Sequence, residues 1–155
     1  MATGYDFRKL RRLIMIHTVV QIFFFVLLIF MAVNFQETFR AKGMPQVFLN
    51  SIIATVLIQL AIFYPIKKAA GREVEREITA SAAGLTPEQL KELRKKRVFS
   101  DFIKTSIFIF FFTFIAKAPP ATFVLSTTFF TFAVTALTYF QCFNFAARRA
   151  IRERS

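Results

Sequence analysis

The chain has 155 residues, is 55% hydrophobic and carries a formal net charge of +12, with 23 Phe and no Trp. So much apolar side chain would overfill a water-soluble core of this size, which argues against a soluble globule. The figures agree once the apolar residues are gathered into spans and the charges lie between them, which is how this sequence is arranged.

The N-terminal arm carries Arg8, Lys9, Arg11 and Arg12. From Leu13 to Phe35 the only titratable side chain is His17. About 20 apolar residues match the ~30 Å of a bilayer's hydrocarbon, since a helix rises ~1.5 Å per residue. A basic segment before an apolar run is also the pattern of a signal peptide. Here the apolar part is too long for one and no small-x-small cleavage site follows, so an uncleaved anchor is expected. "NFQETFRAKGMP", with Gly43 and Pro45 as breakers, leads to a second uncharged span over 47–66. Pro65 is expected to bend that helix near its basic end.

The segment 67–97 does not read as a linker. "KKAAGREVEREITASAA" is rich in helix formers, with Arg72, Glu73, Arg76 and Glu77 at helical spacing. The acidic residues Glu73, Glu75, Glu77, Glu88 and Glu92 read as salt-bridging groups on solvated helix faces. Gly84 is a helix stop. In "GLTPEQLKEL", Thr86 is placed to cap, Pro87 suits the first helical position and Gln89 completes a capping box. The second and third helices are therefore expected to continue beyond the membrane as a hairpin turning near Gly84 to Thr86 and projecting ~20 Å. That hairpin reads either as a solvated joint or as a docking surface.

A third span, 98–117, contains Asp101 and Lys104, three apart and able to meet on one helix face. "KAPP" then leads to a fourth span, 120–147. Apolar residues are consecutive within the spans, not alternating, which favours helices over barrel strands. The fold class expected is an all-α membrane protein of four antiparallel transmembrane helices.

Bases cluster in the N-terminal arm, in the middle loop and in the C-terminal tail; only Arg40, Lys42 and Lys117 lie on the other side. The positive-inside rule puts both termini and the hairpin in the cytoplasm, in keeping with a bacterial inner membrane. Arg11, Arg12, Lys67, Lys68, Arg94, Lys95, Lys96, Arg97, Arg148 and Arg149 are the candidate contacts to anionic lipid headgroups of the inner leaflet. Because topology accounts for these bases, no nucleic-acid partner is expected. The single Cys142 excludes an intrachain disulfide.

Two patterns within the spans bear on function. Thr128, Thr131, Thr135, Thr138 and Cys142 form a small-residue stripe down the fourth helix, expected as a packing seam. The Phe residues 129, 132, 140 and 143 fall mostly away from it. His17, Gln21, Gln59, Lys104, Gln141 and Asn144 form a polar belt expected at one depth. It reads as mutual hydrogen bonding, or as a ligand or proton site. The sequence shows no phosphate loop, no nucleophile–base set, no metal cluster and no carboxylate deep in a span. No cofactor is expected. The expectation is a non-catalytic accessory, assembly or regulatory component that associates with other membrane subunits or with itself. The alternative is an oligomeric transporter or channel using the belt; a membrane enzyme working on lipid headgroups through His17 and Lys104 stands third.

Overall fold

The computed structural model describes residues 5–82, 84–119 and 122–154. They form four helices: α1 (Arg8–Ala41), α2 (Pro45–Ala80), α3 (Pro87–Lys117) and α4 (Phe123–Arg154). Each contains an apolar window long enough to cross a membrane. The helices have 34, 36, 31 and 32 residues. At ~1.5 Å per residue they reach roughly 46–54 Å, longer than the hydrocarbon layer, so their ends stand outside it. The start of the expected fourth span, Pro120 with Ala121, lies outside the described residues.

Local chemistry explains the element boundaries. Pro45 and Pro87 occupy first-turn positions, where a missing N–H costs nothing. The capping box at Thr86 is formed: its hydroxyl accepts from the Gln89 N–H at 3.3 Å, and the Gln89 side chain accepts from the Thr86 N–H at 3.1 Å. Gly43 takes φ +69° in the turn between α1 and α2, a conformation that glycine adopts without strain. α2 runs unbroken through Pro65. It ends at Ala80, earlier than Gly84, because the N-terminal arm takes over its last groups. The Asp6 N–H donates to the Ser81 carbonyl at 3.2 Å, and Tyr5 bridges to Ala82.

α4 is the helix around which the others gather. Toward the basic end, Phe143 and Ala147 bury with Leu10 of α1 and with Ala70, Val74 and Ile78 of α2. Toward the other end, Phe129, Phe130 and Ala133 bury with Phe24, Phe35 and Phe39 of α1. Ser126 and Ser51, both fully buried, bring α4 and α2 into hydroxyl contact at 2.8 Å. The inward Phe side chains of α4 are therefore core, packed on both α1 and α2, with Phe130 also 6.1 Å from Phe48 of α2.

α3 differs from its neighbours, because none of its residues is buried. Its apolar half touches α4 through Phe108 and Phe111, each with its ring centroid 5.3 Å from that of Phe132. Ile115 packs, partly buried, against the Phe129–Phe130 cluster, and most other Phe and Ile side chains of α3 face outward, as do Phe23 and Phe30 of α1 and Leu57 and Leu60 of α2.

The Ser51–Ser126 contact generates a prediction. Ser126→Leu inserts a branched side chain where two helices touch, an overpacking worth about 1–3 kcal/mol. Thermal unfolding in mild detergent should show a lowered midpoint for Ser126→Leu and little change for Thr128→Leu, which sits at a partly buried position.

Candidate functional site

The expected belt separates into distinct groups between the two apolar clusters. Gln21, Gln141 and Asn144 form one. The Gln21 amide donates to Gln141 Oε1 at 2.9 Å, and the Asn144 amide donates to Gln21 Oε1 at 3.0 Å and to Thr18 Oγ1 at 3.2 Å. Gln59 does not join them. It bonds the Thr stripe instead, donating to Thr138 Oγ1 at 2.8 Å and accepting from Thr135 Oγ1 at 3.2 Å. Thr138 and Asn144 are six positions apart on α4, so these layers lie about 9 Å apart along the axis.

Lys104 belongs to a third group. Its ammonium pairs with the Glu73 carboxylate, which also accepts from the Tyr139 hydroxyl, and it lies 5.3 Å from the Tyr139 ring centroid. Asp101, the partner that spacing suggested, stands farther off at 4.0 Å. Glu73 is thus not a solvated surface group; its side chain is 21% exposed and joins α2 to α3 and α4. One turn further along α2, Glu77 does the same toward α1 and α3, with Lys9 at 3.0 Å and Arg97 at 3.1 Å around a carboxylate that is 9% exposed. The pairs are close and partly desolvated, which strengthens each attraction and makes an unpaired partner costly. The sequence signal for these carboxylates was their i, i+4 spacing, which equally fits an ordinary exposed helix face.

His17 makes no hydrogen bond to the other members of the belt among the described residues. Its ring packs against Phe140 and Phe143, with centroids at 4.9 and 4.5 Å, and its buried Nδ1 makes no hydrogen bond among the described residues. Of the stripe, Thr135 and Thr138 contact α2 through Gln59, while the Thr131 hydroxyl is buried with no partner among the described residues. Thr128 and Cys142 are partly buried. The small side chains buried most completely on α4 are instead Ser126, Ala133 and Ala147.

The basic residues named for headgroups are exposed, with two qualifications: Arg97 is half-buried on Glu77, and Arg149 is engaged by Glu153 at 2.7 Å. Lys96 pairs with Glu92 at 2.6 Å and holds that carboxyl below its usual range. Among the described residues no cluster of three or more His, Cys, Asp or Glu side chains could hold a metal.

Two concavities accompany these groups. A cleft of about 420 Å³ lies between the basic halves of α2 and α3, with Lys9, Glu73, Arg76, Glu77 and Arg97 among its walls. A groove of about 980 Å³ opens on the other side of the molecule, between α1, α2 and α4.

No family model, curated protein or solved structure matches the chain.

The Glu73–Lys104–Tyr139 group yields a measurable coupling. Lys104→Met strands a half-buried carboxylate and should cost about 1–3 kcal/mol. Glu73→Gln together with Lys104→Met should cost clearly less than the sum of the single changes, by at least ~0.5 kcal/mol. Thermal unfolding of the four variants of this cycle in one detergent gives the number.

Proposed function

We propose that the chain is a non-catalytic integral membrane component that assembles with other membrane subunits or with a second copy of itself, and that α3 is the helix presented to the partner. The observation carrying this reading is that α3, 31 residues long, buries none of them within the chain. It is attached chiefly at its basic end, through Glu73–Lys104, Glu77–Arg97 and a 3.5 Å bond from Arg76 to the Lys96 carbonyl. Its outer half is Phe-rich on every side.

The order of contacts supports neighbouring helices that run antiparallel. Between α2 and α3, Glu73 meets Lys104 and Glu77 meets Arg97. Between α1 and α4, Phe35 meets Phe130 while Gln21 meets Asn144. With the bases gathered at one end, the positive-inside rule puts both termini and the α2–α3 hairpin in the cytoplasm, against an anionic inner leaflet such as that of a bacterial inner membrane.

The oligomeric transporter reading requires His17, Gln21, Gln59 and Lys104 to face one lane. Gln21, Gln59 and Lys104 instead bond separate partners, and His17 packs between aromatic rings. A catalytic reading requires a base beside His17, and the nearest ring neighbours are Phe140 and Phe143.

The experiment is copurification in gentle detergent with identification of the captured membrane subunit by mass spectrometry, for three proteins: wild type, Phe110→Ala with Phe112→Ala on α3, and Phe23→Ala with Phe30→Ala on α1. All four Phe side chains are 62–67% exposed. Folding of each variant should change by no more than about 0.5 kcal/mol, as at other surface positions. The α3 pair should release the partner, or the second copy, and the α1 pair should retain it. Equal retention in both variants overturns the assignment of α3.

A further inference from the structure

The groove between α1, α2 and α4 is lined in a graded order that repeats on its walls. On α2 the lining passes from Gly71 and Lys67 to Phe63. On α4 it passes from Arg149 past Ala146 and Phe145 to Cys142 and Gln141, and on to Thr138 and Leu137. On α1 it passes from Thr18 and Gln21 to Ile22 and Phe25. Cations from α2 and α4 therefore stand at one end, with Phe145 and Ala146 beside them, amides and hydroxyls in the middle, and apolar side chains beyond. That is the sequence of chemistries met along a phospholipid, from phosphate through glycerol esters to acyl chain.

We infer that this groove is a binding site for one anionic phospholipid, held by its headgroup phosphate at Lys67 and Arg149. Charge selects the occupant: among the described residues Lys67 and Arg149 are the only charged side chains lining the groove, and both are cationic. Lys67 takes part in no ion pair among the described residues. Arg149 donates through Nε to Glu153, which leaves its two terminal amino groups for phosphate. Gln141 accepts from Gln21 through Oε1, while its own amide N–H groups have no acceptor among the described residues. They are placed to donate to an ester carbonyl. The space over Gly71 is open: a Cβ built there meets nothing within 4 Å. The groove's ~980 Å³ suits a lipid segment, whereas the cleft on the α3 side, with mixed charges and ~420 Å³, does not.

The site differs from the ordinary lipid annulus because it depends on particular side chains, and that dependence is the test. The purified chain, delipidated in mild detergent, is titrated with phosphatidylglycerol or phosphatidylcholine, and bound lipid is counted by native mass spectrometry. One phosphatidylglycerol should bind in preference to phosphatidylcholine. Lys67→Gln should weaken it roughly fivefold, the worth of one base at an anionic surface. Lys68→Gln, exposed but outside the groove, should leave it unchanged. Gly71→Leu places a branched side chain in the groove beside Lys67, where a Cβ meets nothing within 4 Å, and replaces a poor helix former, so it should abolish the bound lipid while keeping the circular dichroism spectrum and elution volume. Equal uptake of the two lipids, or wild-type uptake by Gly71→Leu, overturns the inference. Should Gly71→Leu fail to fold, the contrast between Lys67→Gln and Lys68→Gln decides it, and equal affinities there overturn it too. None of these outcomes bears on the partner proposed for α3, whose residues do not line the groove.

Discussion

Hydrocarbon does not press helices together, because lipid tails are as apolar as the side chains they would replace. A chain with this composition must hold itself by close backbone approach and by polar groups that have nowhere else to bond. The contacts between α2 and α4 follow that constraint. Ser51 meets Ser126 with no side chain between the backbones, and Gln59 spans to Thr135 and Thr138. Each bond persists less for its own strength than for the cost of leaving an amide or hydroxyl unpaired in a medium without water. Gln59 with Thr135 and Thr138 thus lies between two apolar clusters, one built on Phe143 and Ala147, the other on Phe130 and Ala133, and Ser51–Ser126 lies beyond the second.

At the basic end water returns, and so does ordinary folding chemistry. Leu10, Val74 and Ile78 bury together there, and the arm before α1 lies across the end of α2 through Tyr5 and Asp6. Arg154 reaches the Tyr5 ring at 5.7 Å and closes the same region from α4. Glu77 ties α1 and α3 to α2 from inside this region. Because its carboxylate is nearly enclosed, its two cations hold it in place by removing the alternative: an uncompensated charge would cost far more than an exposed pair gains. α3 inherits its position from this end. Its fasteners are ionic and lie where water and headgroups meet; its apolar half rests on the core through Phe108, Phe111 and Ile115.

The sequence carried the number of spans, the breakers between them and the capping box at Thr86, because each depends on residues adjacent in the chain. It did not carry which face of a span turns inward. Inside a bilayer both the lipid-facing and the core-facing side chains are apolar, so Phe130 and Phe110 look alike although one is buried and the other exposed. Periodicity, the usual guide to a buried face, is silent under that condition. The Thr stripe of α4 stood out, and two of its members meet α2. Its acceptor and donor, Gln59, had been grouped with the belt, since depth cannot be read from position when helices differ in length outside the membrane. Glu73 was hidden for another reason. Its spacing with Arg72, Arg76 and Glu77 fits a solvated helix, while its partners, Lys104 and Tyr139, lie 31 and 66 residues away.

The two surfaces argued above use different residues of α4: α3 meets Phe132 and Tyr139, neither of which lines the groove. The groove is walled by α1, α2 and α4, and no α3 residue lines it. α3 has its register fixed at the basic end by Glu73 and Glu77. A helix pinned at one end by charge and held beyond that by a few apolar contacts can tilt at small cost, since no buried side chain has to leave a core. An approaching apolar helix would then gain contact area from α3 without dismantling the three-helix core behind it. The same asymmetry explains the carboxylates. Were α3 held only by its Phe side chains, any neighbouring helix or lipid could replace those contacts equally well. Two desolvated ion pairs keep it attached to its own chain while leaving its apolar length free to be shared.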